Sequence, residues 1–577
     1  MTDSTSATPP QGADATIAQL LRVAGIPLEH DEAALAEADR WLIDPGIDDP
    51  KLDDRLALAL VTVDNDGSRD LDQALHVQRI DTGWQLHYAL ADAAHYVRPG
   101  TALWTAALQR GASLYAPERA IAMLPAALSE GLVSLNPGEA RRALVFDLLI
   151  DAHGAIGRCE VYRARVRSRA QLTYDGLQAF IDGRASLEEA RSSQPRARGT
   201  PVDERERDAI TTSLHELAAL GDALQAAQRR RGVMPFDRTE SEIGVVGQPP
   251  RFDVTPRERL DSERWNEQLS LACNMQGASL LQALERDEPA LEPIFRVHDA
   301  PGASRLTKLE KTLQTLSQRL GLNGPWQRKR KPDTSIAEWF GALPDGAPRL
   351  KQAIQRQVLR AQSGSNYEGE ASRHHALAAD GYARFSSPMR EMVGIHTHLV
   401  LLDALGVQPA GGARDTALRD AVIASADAAR SRQKALERGL QFAVIAALFE
   451  RDLTSPKGNR WRDGTLLGLD SNKLHIALDG MALDVKLYRE DLERDTGVDW
   501  RFDTVGALPA DQRSGFMLGD GVRVRVAHYD AERGRYALQI AAMGNRATLA
   551  EKRRGALKRR ARRRSALRRR APNAPRG

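Results

Sequence analysis

The chain has 577 residues with 42% apolar and 27% charged side chains and a formal net charge of +4, a globular composition with room for about two to four domains. No apolar run nears the roughly 20 residues that cross a bilayer, and the polar, acidic opening Met1–Asp14 lacks the basic-then-apolar layout of a secretory leader. The two cysteines, Cys159 and Cys273, have no CxxC spacing, which argues against a disulfide scaffold or cysteine zinc site and fits a reducing, cytoplasmic setting.

In chain order, residues 1–12 are rich in Ser, Thr, Pro and Gly and are expected to be disordered. Residues 13–49 read as short helices, with Ile17, Leu20, Leu21 and then Leu35, Ala38, Leu42 at helical spacing, followed by the Pro/Asp-rich link Asp44–Asp54. Leu58–Val63 and Leu75–Ile80 read as strands on either side of an acidic run. Trp84, Leu86, Tyr88 and Leu90 alternate as a half-buried strand. Ala143–Ile150 and Ile156–Val166 form a predicted hairpin across Asp151–Gly154. Helical periodicity then dominates Asp203–Arg230, Ser262–Leu284, Lys308–Leu320 and Met392–Glu450, giving a mixed α/β (α+β) body over residues 50–400 with a helical extension over 401–453. Residues 454–545 change texture to short alternating strands, Trp461–Leu469, Lys473–Leu478, Met481–Leu487, Gly521–His528 and Arg535–Ile540. Such a pattern predicts a small OB-type barrel, a fold that often binds single-stranded nucleic acid. The remainder, 546–577, is a predicted disordered tail with about a dozen Lys and Arg between Lys552 and Arg570. The rest of the chain is therefore net negative, and the tail suits non-specific contact with a polyanion.

The acidic run, Asp64-Asn-Asp66-Gly-Ser-Arg-Asp70-Leu-Asp72-Gln73, carries the strongest chemical signal. Carboxylates at Asp64, Asp70 and Asp72 cannot share a small volume ionised unless a cation offsets their repulsion. Hard oxygen donors suit Mg2+ or Mn2+, ions that also bridge phosphate oxygens. A calcium loop is excluded because its twelfth position, counted from Asp64, is Leu75 and not glutamate. A solvated acidic turn remains the bland alternative from these residues alone.

Further segments stand in a fixed order after the run: Ala91–Gly100 with His95, Gly111–Tyr115, Met123–Pro125, Leu128–Pro137, Arg296–His298 and Tyr382–Arg390. From about residue 50 to 400 the chain resembles the catalytic domain of the ribonuclease II and ribonuclease R (RNB-domain) family of 3′→5′ exoribonucleases. The resemblance implies a magnesium-dependent hydrolase that degrades single-stranded RNA to nucleoside 5′-monophosphates. It places Asp64, Asp70 and Asp72 at three of the family's four acidic, metal-binding positions and Gln73 at the fourth. An amide oxygen there can still ligate a metal but brings no charge. Arg390 matches an arginine that holds the scissile phosphate. Tyr174 and Phe236 match aromatic positions of a base clamp, and Glu267 an acidic position near the terminal ribose. His95 and His374 also fall in matching segments, without a partner histidine at metal spacing.

Where the family continues with a basic residue and then an aspartate, this chain has Glu391 and Gly394. The family also carries two cold-shock-type barrels before the catalytic domain, whereas about 45 residues precede it here. These departures keep open an alternative, an RNA-binding protein on a catalytically weakened ribonuclease scaffold.

Overall fold

The computed structural model describes residues 12–234, 240–327, 335–407, 412–456, 460–481, 483–510 and 515–543. The segments 1–11 and 544–577, where a disordered start and a basic tail are expected, lie outside the described residues, as does Phe236.

The first sheet is built around one long strand, Ile156–Thr173. Its first part runs antiparallel to Ala140–Asp151, with Ala140 opposite Arg167. Its last part, Ser168–Thr173, runs parallel to Leu60–Asp64. The strands Gln73–Ile80 and Gly83–Ala91 complete the circuit, so the sheet curls round and closes on itself. The alternation noted around Trp84–Leu90 is real but deeper than expected, because helices cover the Leu75, Val77 and Tyr88 face. The helix Glu204–Arg230 buries Leu214, Leu217, Leu220 and Leu224 at helical spacing. Its Ser213 Oγ accepts from Val77 N at 2.8 Å, and its Glu216 accepts from Trp84 Nε1 at 2.7 Å. The helix Asp261–Asp287 lies beside it. Near the other end of the sheet the carboxylate of Asp92, wholly buried, holds Arg142 Nε at 3.2 Å and Arg163 Nη2 at 2.9 Å.

The second body is the expected barrel. Its strands lie in the order Leu483–Tyr488, Lys473–Leu478, Arg462–Asp470, Gly521–Asp530, Arg535–Ala542, all antiparallel. A helix, Arg489–Thr496, follows the third strand in sequence, and the two outermost strands approach each other. This is OB-type topology. A three-stranded sheet, Trp500–Phe502, Gly506–Pro509 and Phe516–Met517, sits in the connection and has no counterpart in the sequence reading.

One feature differs from expectation. The helices Ala303–Leu320 and Pro348–Ala361, read as part of the first body, share the barrel's core through Leu309, Leu313, Ile354 and Val358. Along the barrel surface Gln357 Nε2 donates to Leu467 O at 2.7 Å, Arg360 pairs with Asp470 at 2.8 Å, and Arg356 pairs with Asp484. The amphipathic pattern showed that these helices need a partner but not which one. The helical periodicity over Met392–Glu450 resolves into two helices, Met392–Ala404 and Thr416–Leu453. Gly406, at φ 67°, ends the first in a left-handed conformation that costs glycine nothing. No helix among the described residues is long and apolar enough to cross a membrane.

Candidate active site

Strand register brings the acidic run to the helices. Asp64 ends its strand opposite Thr173, which caps the helix Tyr174–Ile181. Tyr174 therefore stands beside Asp64. The loop between Asp64 and Gln73 is pinned from outside: Ser134 Oγ accepts from Leu71 N at 3.0 Å and donates to Arg69 O at 2.7 Å, and Gln171 Nε2 donates to Ser68 O at 2.9 Å. Asp66 belongs to this scaffold, accepting from Ser192 Oγ at 2.8 Å and from Ser193 N and Oγ at 2.9 and 2.7 Å.

Asp72 is the buried centre, 1% exposed. Its Oδ1 accepts from Met389 N at 2.8 Å and its Oδ2 from Arg390 Nε at 2.5 Å. Arg390 is fixed in turn through its backbone, whose carbonyl accepts from Ser113 N at 2.9 Å, while Met392 N donates to Gly111 O at 2.9 Å. The phenol of Tyr115 lies close to the guanidinium. Burial opposes its charge, but Asp72 and the neighbouring acids outweigh that and hold Arg390 charged well beyond its ordinary range. About 31% of its side chain stays open to the cleft.

Asp70 differs from its neighbours. Burial, then the charge of Asp72, push its carboxyl up to about 6 against the pull of Arg390. Burial likewise raises Asp72, with Arg390 and the Met389 amide opposing. Asp64 Oδ1 accepts from Asn65 N at 2.8 Å and Ser68 Oγ at 3.0 Å.

Gln73 points elsewhere. Adjacent residues of an extended chain face opposite sides, and its Oε1 accepts from the Tyr88 hydroxyl and from Ser270 Oγ at 3.3 Å. Of the four positions expected around a metal, Asp72 and Gln73 thus have their oxygens engaged within the protein. Asp64 Oδ2 and the Asp70 carboxylate have no side-chain donor among the described residues. Among those residues no three His, Cys, Asp or Glu side chains gather tightly enough to hold an ion alone. Two carboxylates with water and phosphate oxygens completing the shell is nonetheless how Mg2+ is commonly held, so Asp64 and Asp70 fit that ion.

The helix Asp261–Asp287 supplies the facing wall. Asn266 Nδ2 donates to the Tyr174 hydroxyl at 2.9 Å. Glu267, Ser270 and Asn274 lie three, four and seven residues apart, on one stripe. Glu267 is solvent-exposed on that stripe and pairs with Arg259 at 3.1 Å. His95 and His374 are packing residues. His95 packs against Trp41 and Tyr96, His374 stacks on His298, and burial lowers both to about 4. Sequence reasoning quoted Tyr115 only as part of a motif and did not single out Asn266, Ser270 or the Met389 amide. The fixed spacing of Gly111–Tyr115 was the available signal for the first, and helical spacing from Glu267 for Ser270.

Three comparisons bear on this geometry. The profile of the RNB domain matches residues 54–406. Ribonuclease R of Vibrio cholerae is 31% identical over 346 residues, which cover 60% of this chain and 39% of that protein. Ribonuclease R of Escherichia coli is 27% identical over 479 residues, covering 81% of this chain and 55% of that protein. The chain thus spans about four-tenths to just over half of the length of these relatives. The solved structure of Mycoplasma genitalium RNase R in complex with ribose-methylated single-stranded RNA shares the fold, with a TM-score of 0.77, 22% identity, and coverage of 91% of this chain and 78% of that one.

Proposed function

Because the chain belongs to the RNB domain family, we propose that it is a divalent-metal-dependent 3′→5′ exoribonuclease, releasing nucleoside 5′-monophosphates from single-stranded RNA. The observation that carries this reading is the Asp72–Arg390 contact, 318 residues apart in sequence, with Asp64 and Asp70 beside it. Arg390, tethered by Nε to Asp72, would turn its remaining N–H groups to the oxygens of the scissile phosphate and offset the charge that builds there. Asp72 contributes by orienting that guanidinium. Asp64 and Asp70 would hold Mg2+ or Mn2+, which supplies an activated water and neutralises the leaving oxygen. Tyr174, its hydroxyl tied to Asn266, would stack on the terminal base, Phe236 is the second expected aromatic, and Glu267 would accept from ribose hydroxyls. The barrel and the basic tail would add electrostatic grip on RNA. The two cysteines are free, which supports a cytoplasmic setting.

The second reading, RNA binding without turnover, draws on the Gln73 amide oxygen being occupied by Tyr88 and Ser270. Incubating the protein with 3′- and 5′-labelled RNA and Mg2+ or Mn2+ separates the two. Mononucleotide release that vanishes in Asp72→Asn supports the enzyme. Tight binding without release in either metal supports the second reading and sinks the first.

A further inference from the structure

Two residues that depart from the family pattern, Glu391 and Gly394, meet in one piece of packing. Glu391 Oε1 accepts from Arg384 Nε at 3.0 Å and Nη2 at 2.8 Å. Its Oε2 accepts from the Tyr367 hydroxyl at 2.9 Å, which itself accepts from Arg296 Nη1 at 3.0 Å. Arg384 and Glu391 are seven residues apart, so their ion pair closes a loop at its base. Inside that loop lie Ser386, Ser387, the Met389 amide and Arg390, the groups that engage Asp72 or line the site. Asn274 secures the loop's first limb, its Oδ1 accepting from Phe385 N at 2.8 Å and Ser386 N at 3.1 Å. The second limb leads into the helix Met392–Ala404, which approaches so closely that a Cβ on Gly394 would stand 3.1 Å from Pro388 Cα and from Ser387 O.

We propose that Arg384 and Glu391 are a positioning pair that holds Arg390 and the Met389 amide on Asp72, with Gly394 permitting the helix to seat against the loop. A basic residue at 391 would set a second cation against Arg384 and beside Arg390. A side chain at 394 would push the helix off Pro388. The departures are therefore mutually consistent parts of one loop closure, not isolated losses. This rests on the exoribonuclease reading for its rate consequences, while the loop closure itself does not depend on turnover.

The test compares wild type with Glu391→Gln, Glu391→Arg and the charge swap Arg384→Glu/Glu391→Arg. On single-stranded RNA, Glu391→Gln is expected to lower kcat about 10- to 100-fold with KM within about threefold, because the phosphate-binding group is displaced while the remaining RNA contacts persist. Glu391→Arg should fall further. The swap should recover to within about tenfold of wild type. In RNA-free protein, hydrogen exchange read by mass spectrometry over residues 386–392 should be faster in Glu391→Gln and return toward wild type in the swap. A Glu391→Arg enzyme as fast as wild type or faster, or a swap no better than Glu391→Arg, overturns the proposal. If Glu391→Arg does not fold, unchanged exchange over 386–392 in Glu391→Gln overturns it equally. Wild type without RNA turnover would sink the enzymatic reading, while the exchange data would still decide the pairing.

Discussion

Restoring the missing fourth acid, Gln73→Asp, is expected to cost stability and gain no rate. Gln73 is 8% exposed, and its amide oxygen takes two hydroxyl donors, Tyr88 and Ser270. Aspartate is shorter by one methylene, about 1.5 Å, so its carboxylate cannot reach both donors from the same backbone. Each lost hydrogen bond is worth about 1 kcal/mol net, and a buried carboxylate without full partners costs about 1–3 kcal/mol more. Ser270 Oγ stays 2.7 Å from the wholly buried Tyr88 hydroxyl and spares it complete loss of partners. The sum is about 2–4 kcal/mol, a fall of roughly 4–8 °C in melting midpoint at about 2 °C per kcal/mol for a body this large. The rate should stay within about threefold, since the new charge faces Tyr88 and not Asp70. Thermal melts and mononucleotide release, with Mg2+ and with Mn2+, measure both. A kcat gain of about tenfold, equivalent to about 1.4 kcal/mol of barrier, would show that position 73 does address the metal and would refute this account of its orientation.

Asp70 gives a pH test. Its folded-state carboxyl sits at about 6, above the ordinary 3.8, so the folded form binds the proton more tightly than the unfolded one and stability falls as pH rises through that window. Asp70→Asn should therefore melt higher than wild type at pH 8 in EDTA, with the gap shrinking as pH falls through about 6 and gone below 3.8, while Mn2+ affinity is lost; equal melting at pH 8 contradicts the assignment. Asp92→Asn leaves Arg142 and Arg163 facing one neutral amide in a buried site, a loss of about 3–5 kcal/mol by denaturant titration, and a change under 1 kcal/mol would argue against a charged Asp92. Tyr174→Ala should weaken binding of a short RNA in EDTA by about 5- to 100-fold, the worth of one stacked base, and undiminished affinity would remove Tyr174 from the clamp. Gly277→Ala puts a Cβ 2.2 Å from the Phe385 ring, and an overpacking cost of about 1–3 kcal/mol should accompany a loss of activity through the adjoining Ser386–Arg390 loop.

Much of the fold was legible because its signals are local. Period-two alternation and turn residues located the strands beside Asp64, the hairpin across Asp151–Gly154 and the barrel strands after Trp461. Partner choice was not legible. The helix Pro348–Ala361 shows an apolar face in sequence, but only the arrangement of the barrel decides that Ile354 and Val358 meet it. The split between Met392–Ala404 and Thr416–Leu453, by contrast, does carry a local signal, because Gly406, Pro409, Gly411 and Gly412 interrupt the helical pattern between them. At the site, the acidic run was visible as composition, yet composition could not rank its members. Asp66, in the same acidic run, is a structural acceptor for Ser192 and Ser193, whereas Asp72 faces Arg390.

Gln73 and Glu391 show why residue-by-residue comparison misleads when each position is judged alone. Counted separately, an absent acid and an inverted charge both read as decay. The structure ties each to a different neighbour set: Gln73 to Tyr88 and Ser270, Glu391 to Arg384 and Tyr367. Both sets converge on the helix Asp261–Asp287, the first through Ser270 and the second through Asn274, which donates to the Tyr382 hydroxyl beside Arg384. That helix is therefore a wall common to both sets. Substitutions at 73 and 391 should be non-additive in stability even though the two side chains do not touch, because each shifts the same wall. Measured additivity within about 0.5 kcal/mol in Gln73→Asp/Glu391→Gln would show instead that the wall is rigid and that the two departures arose as independent local solutions.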